Sequence, residues 1–121
     1  TQLDYDREMA LAMTRETAEG EEQLAVARYV TDPDNESCEF ALEVADHWQG
    51  KGIGVILMNA LFDAAREQGL KVMVGEVLAG NKGMLKLMSR LGFSVQVHPE
   101  DRALTIVTKD LLQQPDVQTP Q

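Results

Sequence analysis

Apolar and polar positions change period several times along this chain, dividing it into short extended segments and two helices. Arg7 to Thr14 (R-E-M-A-L-A-M-T) and Gln23 to Thr31 (Q-L-A-V-A-R-Y-V-T) alternate as half-buried strands do, and the acidic, glycine-containing stretch Arg15 to Glu22 predicts a turn between them. Asp32-Pro33-Asp34-Asn35 predicts a second turn, because proline fixes φ and the Asx side chains bond locally. A third strand begins at Glu39, so the three form a meander. From Ile53 the period lengthens: Ile53, Ile56, Leu57, Ala60, Leu61, Ala64 and Ala65 make a helical stripe that Gly69 ends. Lys71 to Leu78 predicts a strand parallel to the Glu39 strand, since the helix between them returns the chain for a right-handed crossover. Asn81 predicts the cap of a second helix, with Met84, Leu87, Met88 and Leu91 buried and Lys82, Lys86 and Arg90 on the other side. Phe93 to Val97 and Ala103 to Thr108, around His98-Pro99-Glu100-Asp101, predict a closing hairpin. The class is therefore α/β (α+β), a mixed central sheet with two main helices over residues 1–110. Residues 111–121 carry too little apolar content to fold and are expected to form a flexible tail.

Candidate chemistry concentrates where the third strand hands over to the first helix. Gln49-Gly50-Lys51-Gly52-Ile53-Gly54 packs three glycines into five positions ahead of a long apolar helix. Such glycines let the backbone approach a ligand and adopt positive φ, so the unpaired N–H groups of the helix start converge on one spot. Exposed donors and the helix dipole together attract phosphate there. The string has neither the four-residue gap and Lys-Ser/Thr ending of a P-loop nor the third glycine of a dinucleotide fingerprint. It resembles the Q/R-x-x-G-x-G/A loop by which the GNAT acyltransferase superfamily holds the pyrophosphate of coenzyme A. Asn81, Met84, Leu87, Gly92 and Phe93 follow in the pattern of that superfamily's second coenzyme A motif. Three phrases, L-D-Y-D-R-E-M-A at Leu3 to Ala10, A-R-Y-V-T-D-P-D-N-E-S-C-E-F-A-L at Ala27 to Leu42, and G-N-K-G-M-L-K-L-M-S-R-L-G-F at Gly80 to Phe93, narrow the match. They are similar to the C-terminal acetyltransferase domain of bacterial Pat-type protein lysine acetyltransferases.

The resemblance implies a GNAT fold that begins at its second strand, lacking the family's first strand and first two helices, which cover the acceptor side. It implies either a fragment of a larger polypeptide with an acyl-CoA synthetase-like region or a domain without its lid; a chain without a lid could pair with a second copy into a homo-oligomer. It also implies acetyl-CoA as acyl donor, with no metal, and transfer to a lysine of an acceptor protein by direct attack in a ternary complex. Alternatives are a small-molecule amine N-acetyltransferase and a non-catalytic coenzyme A binding module that regulates an attached domain. An amine attacks a thioester only when neutral, and the free lysine pKa of about 10.4 leaves under about a thousandth neutral at pH 7, so a carboxylate must accept a proton. The resemblance assigns that role to Glu39. Glu43, expected to face solvent or else to act as a second acid near the thioester, and Glu76, expected to point outward or pair with a lysine, are the other candidate acids; Glu39 and Glu43 would lie about 13 Å apart on one strand, too far to share a proton. The family's strands bulge here and splay, which implies that the backbone of Leu42, Glu43 and Val44 polarises the thioester carbonyl. Gln49, Gly50, Lys51, Gly52, Ile53 and Gly54 are then expected around the diphosphate, and Asn81 on the pantetheine arm. Met88 stands where many small-molecule members carry a tyrosine that protonates the leaving thiolate, which counts against an aminoglycoside-type enzyme.

Composition narrows the surroundings. The 121 residues are 44% hydrophobic, enough for one domain with a modest core. A net charge of −9 argues against nucleic acid, which needs a basic footprint. No apolar run approaches membrane-spanning length and no signal-type segment is visible, so no membrane partner is expected. The single cysteine, Cys38, forms no internal disulfide; a cytoplasmic location is expected, with Cys38 a buried strand residue rather than a nucleophile. His47 and His98 have no metal-ligand spacing, and Trp48 is expected to pack at the strand end.

Overall fold

The computed structural model describes residues 7–112. They build β1 (Glu8–Thr17), β2 (Gly20–Thr31), β3 (Ser37–Val44), α1 (Ile53–Glu67), β4 (Val72–Leu78), α2 (Lys82–Arg90), β5 (Ser94–Val97) and β6 (Leu104–Asp110), in the order the hydrophobic pattern predicts. One sheet takes all six strands in the order β1-β2-β3-β4-β6-β5. Pairing is antiparallel except between β3 and β4, the pair joined through α1.

The turn expected over Arg15 to Glu22 is much shorter. Pairs Thr14↔Gln23, Arg15↔Glu22, Glu16↔Glu21 and Thr17↔Gly20 carry the β1–β2 hairpin on to a tip at Ala18 and Glu19. Charge density signals solvent exposure, but an exposed ribbon also satisfies its backbone by cross-strand pairing, and opposite charges such as Arg15 and Glu22 help it. The register shifts between Met13 and Thr14, leaving Leu24 as the extra residue on β2. That irregularity explains why Leu24 and Ala25, adjacent in sequence, are both buried.

Both helices pack on one face of the sheet. Leu57, Met58, Leu61, Phe62 and Ala65 of α1 are buried against Ala25, Ala27, Tyr29 and Cys38 of the sheet, with Met9, Leu11 and Met13 at the margin. The opposite strand positions, among them Glu8, Ala10, Arg28, Val30, Glu39, Ala41 and Glu43, are exposed among the described residues. Gly75 of β4 has a specific packing task. A Cβ there would lie 2.4 Å from the Phe40 ring, which crosses β4 at this point and meets Phe93 at a centroid distance of 5.2 Å. Phe93 in turn contacts Phe62 of α1 at 5.9 Å, so an aromatic chain ties β3, the segment between α2 and β5, and α1 together.

Lys109 closes the far end of this core. Its Nζ donates to the Leu91 carbonyl at 2.8 Å, just past the C-terminus of α2, and sits 5.0 Å from the Phe62 ring centroid. Burial, with the nearby Arg66 cation, holds its pKa below the usual lysine value. Leu111, the first residue of the expected tail, is buried: its N–H donates to Lys71 and its carbonyl accepts from Arg66 Nε at 2.7 Å. The rest of the expected tail, residues 113–121, lies outside the described residues.

Cys38 is fully buried beside Met73, and burial pushes its thiol from an ordinary 9.0 up to about 12. At pH 8 the thiolate fraction should be on the order of a thousandfold below that of a free cysteine. Iodoacetamide should therefore leave Cys38 unmodified in the native protein and label it promptly in denaturant; fast native labelling would show the strand pairing around Cys38 to be open. Because the folded pKa is the higher one, the stability carried by the neutral thiol is intact below about pH 8.5 and erodes as pH rises towards 12.

Candidate active site

The parallel ladder between β3 and β4 is short. It runs Ser37↔Val72, Cys38↔Met73, Glu39↔Val74 and stops, while β3 stays paired with β2 through Ala25↔Val44. Phe40 to Val44 therefore face a gap on the β4 side. The β2–β3 register is unbroken, so the strand opening comes without the expected bulge in β3. Backbone direction alternates along β3. The Ser37 carbonyl accepts from Asp32 N and the Ala45 N–H reaches Leu24, both towards β2, whereas the Glu36 carbonyl accepts from Lys71 and Val72, and the Val44 carbonyl from the Gln49 side chain. By that alternation the Leu42 and Val44 amides point into the gap, and the Glu43 amide belongs to the β2 ladder. The side chain of Glu43 is exposed on the open face, beside Ala41 and Glu39. Glu39 itself sits on the last paired position, at the apex where the strands part.

The glycine loop lies at the other end of the gap. After a short 3-10 turn, Asp46–Trp48, Gly50 and Gly52 take φ of 79° and 84°, which a β-branched residue would adopt only under strain. Gly54 serves a different purpose: a Cβ there would meet the Leu87 side chain at 2.9 Å, so its absence lets α1 and α2 approach closely. Gly52 is the N-cap of α1 without a side-chain cap, and the first intrahelical bond is Ile56 N to the Gly52 carbonyl. The N–H groups of Ile53, Gly54 and Val55 thus have no intrahelical acceptor. α2 differs, because Asn81 Oδ1 accepts from Met84 N at 3.1 Å and caps it.

Two contacts fix the loop. Gln49 Nε2 donates to the Val44 carbonyl at 3.1 Å, tying it to the strand end. The Arg15 guanidinium lies 5.0 Å from the centroid of the Trp48 ring, and Arg15 Nε donates to Glu22 at 2.7 Å. The Arg15 hydrogen bond holds the Glu22 carboxyl below its ordinary pKa.

A cleft of about 380 Å³ opens here, with Val44, Trp48, Gln49, Gly50, Gly52 and Gly54 on the loop side and Asn81, Gly83, Met84, Lys86, Leu87 and Arg90 on the α2 side. Val44, Gln49, Gly50, Gly52, Gly54 and Asn81 are thereby brought together as their spacing suggests. Ile53 faces the core at 7% exposure, Lys51 is exposed beside the cleft rather than lining it, and Leu42 packs under Gly54. Lys86 and Arg90 are exposed, as expected of that side of α2, and they also line the cleft where α2 meets the start of α1 at Leu87. Their i, i+4 spacing and the i, i+3 step from Gly83 to Lys86 were the available signal.

Glu76 projects on the same open face as Glu39, its carboxylate 3.8 Å from His98 Nε2, while His98 Nδ1 accepts the Glu100 N–H at 3.0 Å. Met88, on the inner side of α2, is fully buried. Among the described residues no cluster of His, Cys, Asp or Glu could hold a metal ion, and no helix is long and apolar enough to cross a membrane.

Residues 2–93 match the Acetyltransferase (GNAT) family. The chain belongs to the GNAT acetyltransferase family. The chain is 35% identical over 105 residues to an acetyltransferase of Pseudomonas aeruginosa, covering 86% of this chain and 56% of that protein. It is 41% identical over 70 residues to acetyltransferase Pat of Mycolicibacterium smegmatis (57% of this chain, 21% of Pat) and 46% identical over 57 residues to the L-methionine sulfoximine/L-methionine sulfone acetyltransferase of Pseudomonas aeruginosa (47% and 33%). A cAMP-binding acyltransferase from Mycobacterium smegmatis has the same fold, with a TM-score of 0.74 and 34% identity over 91% of this chain and 33% of that one. The chain thus spans about half the length, or less, of the curated relatives it matches. The six-stranded GNAT sheet with its two helices, the likeness to Pat-type domains, and acetyl-CoA as the family's acyl donor all agree with the residues quoted above.

Proposed function

We propose that this chain is the catalytic domain of an acetyl-CoA-dependent protein lysine N-acetyltransferase. The observation that carries the reading is the continuity of three features: an uncapped α1 N-terminus at a cleft, a gap between β3 and β4, and a carboxylate at the apex of that gap. The diphosphate of the donor rests on the amides at Gly52 to Gly54, where the helix dipole favours negative charge, with Gly50 and Gln49 shaping the loop and Lys51 adding a nearby cation. The pantetheine arm passes Asn81, whose side-chain N–H groups remain available as donors, and extends into the gap. There the Leu42 and Val44 amides hydrogen-bond to it and polarise the thioester carbonyl as the tetrahedral oxyanion forms.

The acceptor amine arrives from the open face, opposite the helices. Glu39 accepts its proton, directly or through one water, and the neutral nitrogen attacks the thioester carbon. Collapse of the intermediate breaks the carbon–sulfur bond. The departing thiolate, of pKa about 8.5, takes a proton from solvent or from the amine, since Met88 has none to give. The acidic open face with Glu39, Glu43 and Glu76 suits a lysine side chain.

Likeness to the L-methionine sulfoximine/L-methionine sulfone acetyltransferase supports a second reading, transfer to a small amine. Titration of the full-length protein with acetyl-CoA in a calorimeter, followed by mass-shift assays on lysine peptides and on small amines, separates the readings. Saturable donor binding, weakened about tenfold by Gly52→Val through strain at positive φ, with acetyl appearing on peptide lysine, is the expected result. Acetylation of small amines alone would favour the second reading, and donor binding without any transfer would leave a coenzyme A binding regulatory module. Absence of donor binding would remove the whole family of readings.

A further inference from the structure

We infer that Arg15 and Glu22, facing each other near the tip of the β1–β2 hairpin, are positioning residues for the acyl donor: they hold Trp48, and through it the glycine loop that receives the diphosphate. The inference rests on the proposed acetyl-CoA reading and deepens it. Donor affinity then depends on a hairpin of which no residue lines the cleft.

The loop needs such support. Trp48 N donates to the Ala45 carbonyl at 2.8 Å and Ile56 N to the Gly52 carbonyl at 3.2 Å, with one long bond of 3.4 Å from Gln49 N to Asp46 between them. The N–H groups of Gly50, Lys51 and Gly52 have no backbone acceptor among the described residues. Both glycines sit at positive φ with nothing within 4 Å of where a Cβ would stand, so local packing does little to confine them. Any loop conformer whose amides diverge cannot take a diphosphate, and apparent affinity falls by the fraction of the protein in such conformers. Trp48 is the loop's one large apolar side chain, packed against the core on one side and lining the cleft on the other.

The hairpin is shaped to reach it. On β2, Ala25, Ala27 and Tyr29 face the helices, so regular alternation would send Gln23 and Glu21 to that side and Glu22 to the open face. The irregularity that leaves Leu24 as an extra residue reverses the alternation. Leu24 and Glu22 now face the helices, and Arg15 stands opposite Glu22. The Arg15 guanidinium thereby covers the Trp48 ring, 5.0 Å from its centroid, while its Nε donates to Glu22 at 2.7 Å. The Glu22 carboxyl is held below its ordinary pKa first by that hydrogen bond and also by the Trp48 side chain, so the acid engages both partners. A guanidinium fixed by a carboxylate at its edge keeps its plane available for an aromatic face.

The test is calorimetry with coenzyme A on the full-length protein, joined to steady-state kinetics. Arg15→Gln should weaken coenzyme A binding about three- to fivefold, the range of an exposed cation–π contact, and raise the donor KM similarly with kcat and the acceptor KM unchanged. Glu22→Gln separates positioning from charge. If the two residues acted only through their fields, loss of a carboxylate near an anion site would tighten binding; release of Arg15 from its partner predicts weaker binding instead. In a Trp48→Leu background Arg15→Gln should add no further loss. Glu16→Gln, on the other side of the same hairpin, should bind as the parent does. Parent-like affinity for Arg15→Gln, tighter binding by Glu22→Gln, an undiminished effect of Arg15→Gln in the Trp48→Leu background, or an equal loss from Glu16→Gln overturns the positioning role and leaves the glycine-loop reading intact. Should Trp48→Leu bind too weakly to measure, the sign at Glu22 decides. Failure of the parent to bind coenzyme A overturns both readings together.

Discussion

Glu39→Gln is expected to lower the rate of acetyl transfer to lysine by about 10²–10⁴-fold at pH 7, the usual contribution of a positioned general base. The amide keeps the size of the carboxylate and its place at the apex of the strand gap, so coenzyme A affinity should be unchanged. Raising the pH should recover part of the loss, because more of the amine is then neutral without help. Glu76→Gln is the companion measurement. Its carboxylate shares the open face but stands two residues beyond the last parallel pair and faces His98, so its loss should leave the rate near that of the parent. Equal rates for Glu39→Gln and parent, or a large loss confined to Glu76→Gln, would take Glu39 out of the proton transfer.

Gly75→Ala should produce the largest loss of stability from a single added methyl. The new Cβ would lie 2.4, 2.8 and 2.9 Å from three atoms of the Phe40 ring, and the ring cannot simply swing away because Phe93 is packed against it. Overpacking of this kind costs about 1–3 kcal/mol. For a domain near this size that is roughly a 10 °C fall in melting temperature. In a Phe40→Leu background the same methyl should cost much less, and that difference is the coupling between the two positions. An identical melting penalty in both backgrounds would mean that the ring is not what excludes a side chain at position 75. The consequence reaches the site, since Phe40 and Gly75 follow directly on Glu39↔Val74, the last pair before β3 and β4 separate. A displaced ring would disturb the apex where Glu39 stands.

Much of the molecule was legible residue by residue. The period-3.6 stripe from Ile53 predicted α1, and Leu57, Leu61 and Ala65 are buried as that stripe requires. Asn81 caps α2 as its side-chain chemistry suggests, and Gly50 and Gly52 adopt the positive φ that a tight loop before a helix demands. Two features were misread and a third was read incompletely, for identifiable reasons. The β1–β2 hairpin outlasts its hydrophobic alternation because Arg15 and Glu22 pair across it in water, which polarity alone scores as a turn. Glu43 lies within the stretch expected to present amides to the thioester, but the direction of its N–H depends on which neighbour strand pairs with it. Lys86 and Arg90 do stand on the solvated side of an amphipathic helix, but only α1 beside Leu87 makes that side a cleft wall as well.

Periodicity, turn chemistry and the glycine string were sufficient to establish the element order, the buried stripe of α1 and the loop at its start. All are consequences of contacts within a few residues, where backbone geometry leaves few choices. The early end of the β3–β4 ladder, the guanidinium over Trp48, the ring over Gly75 and the pair of cations at the cleft were decided by tertiary packing. Each joins segments dozens of residues apart, and no local pattern encodes which side of a strand or helix a distant neighbour will cover.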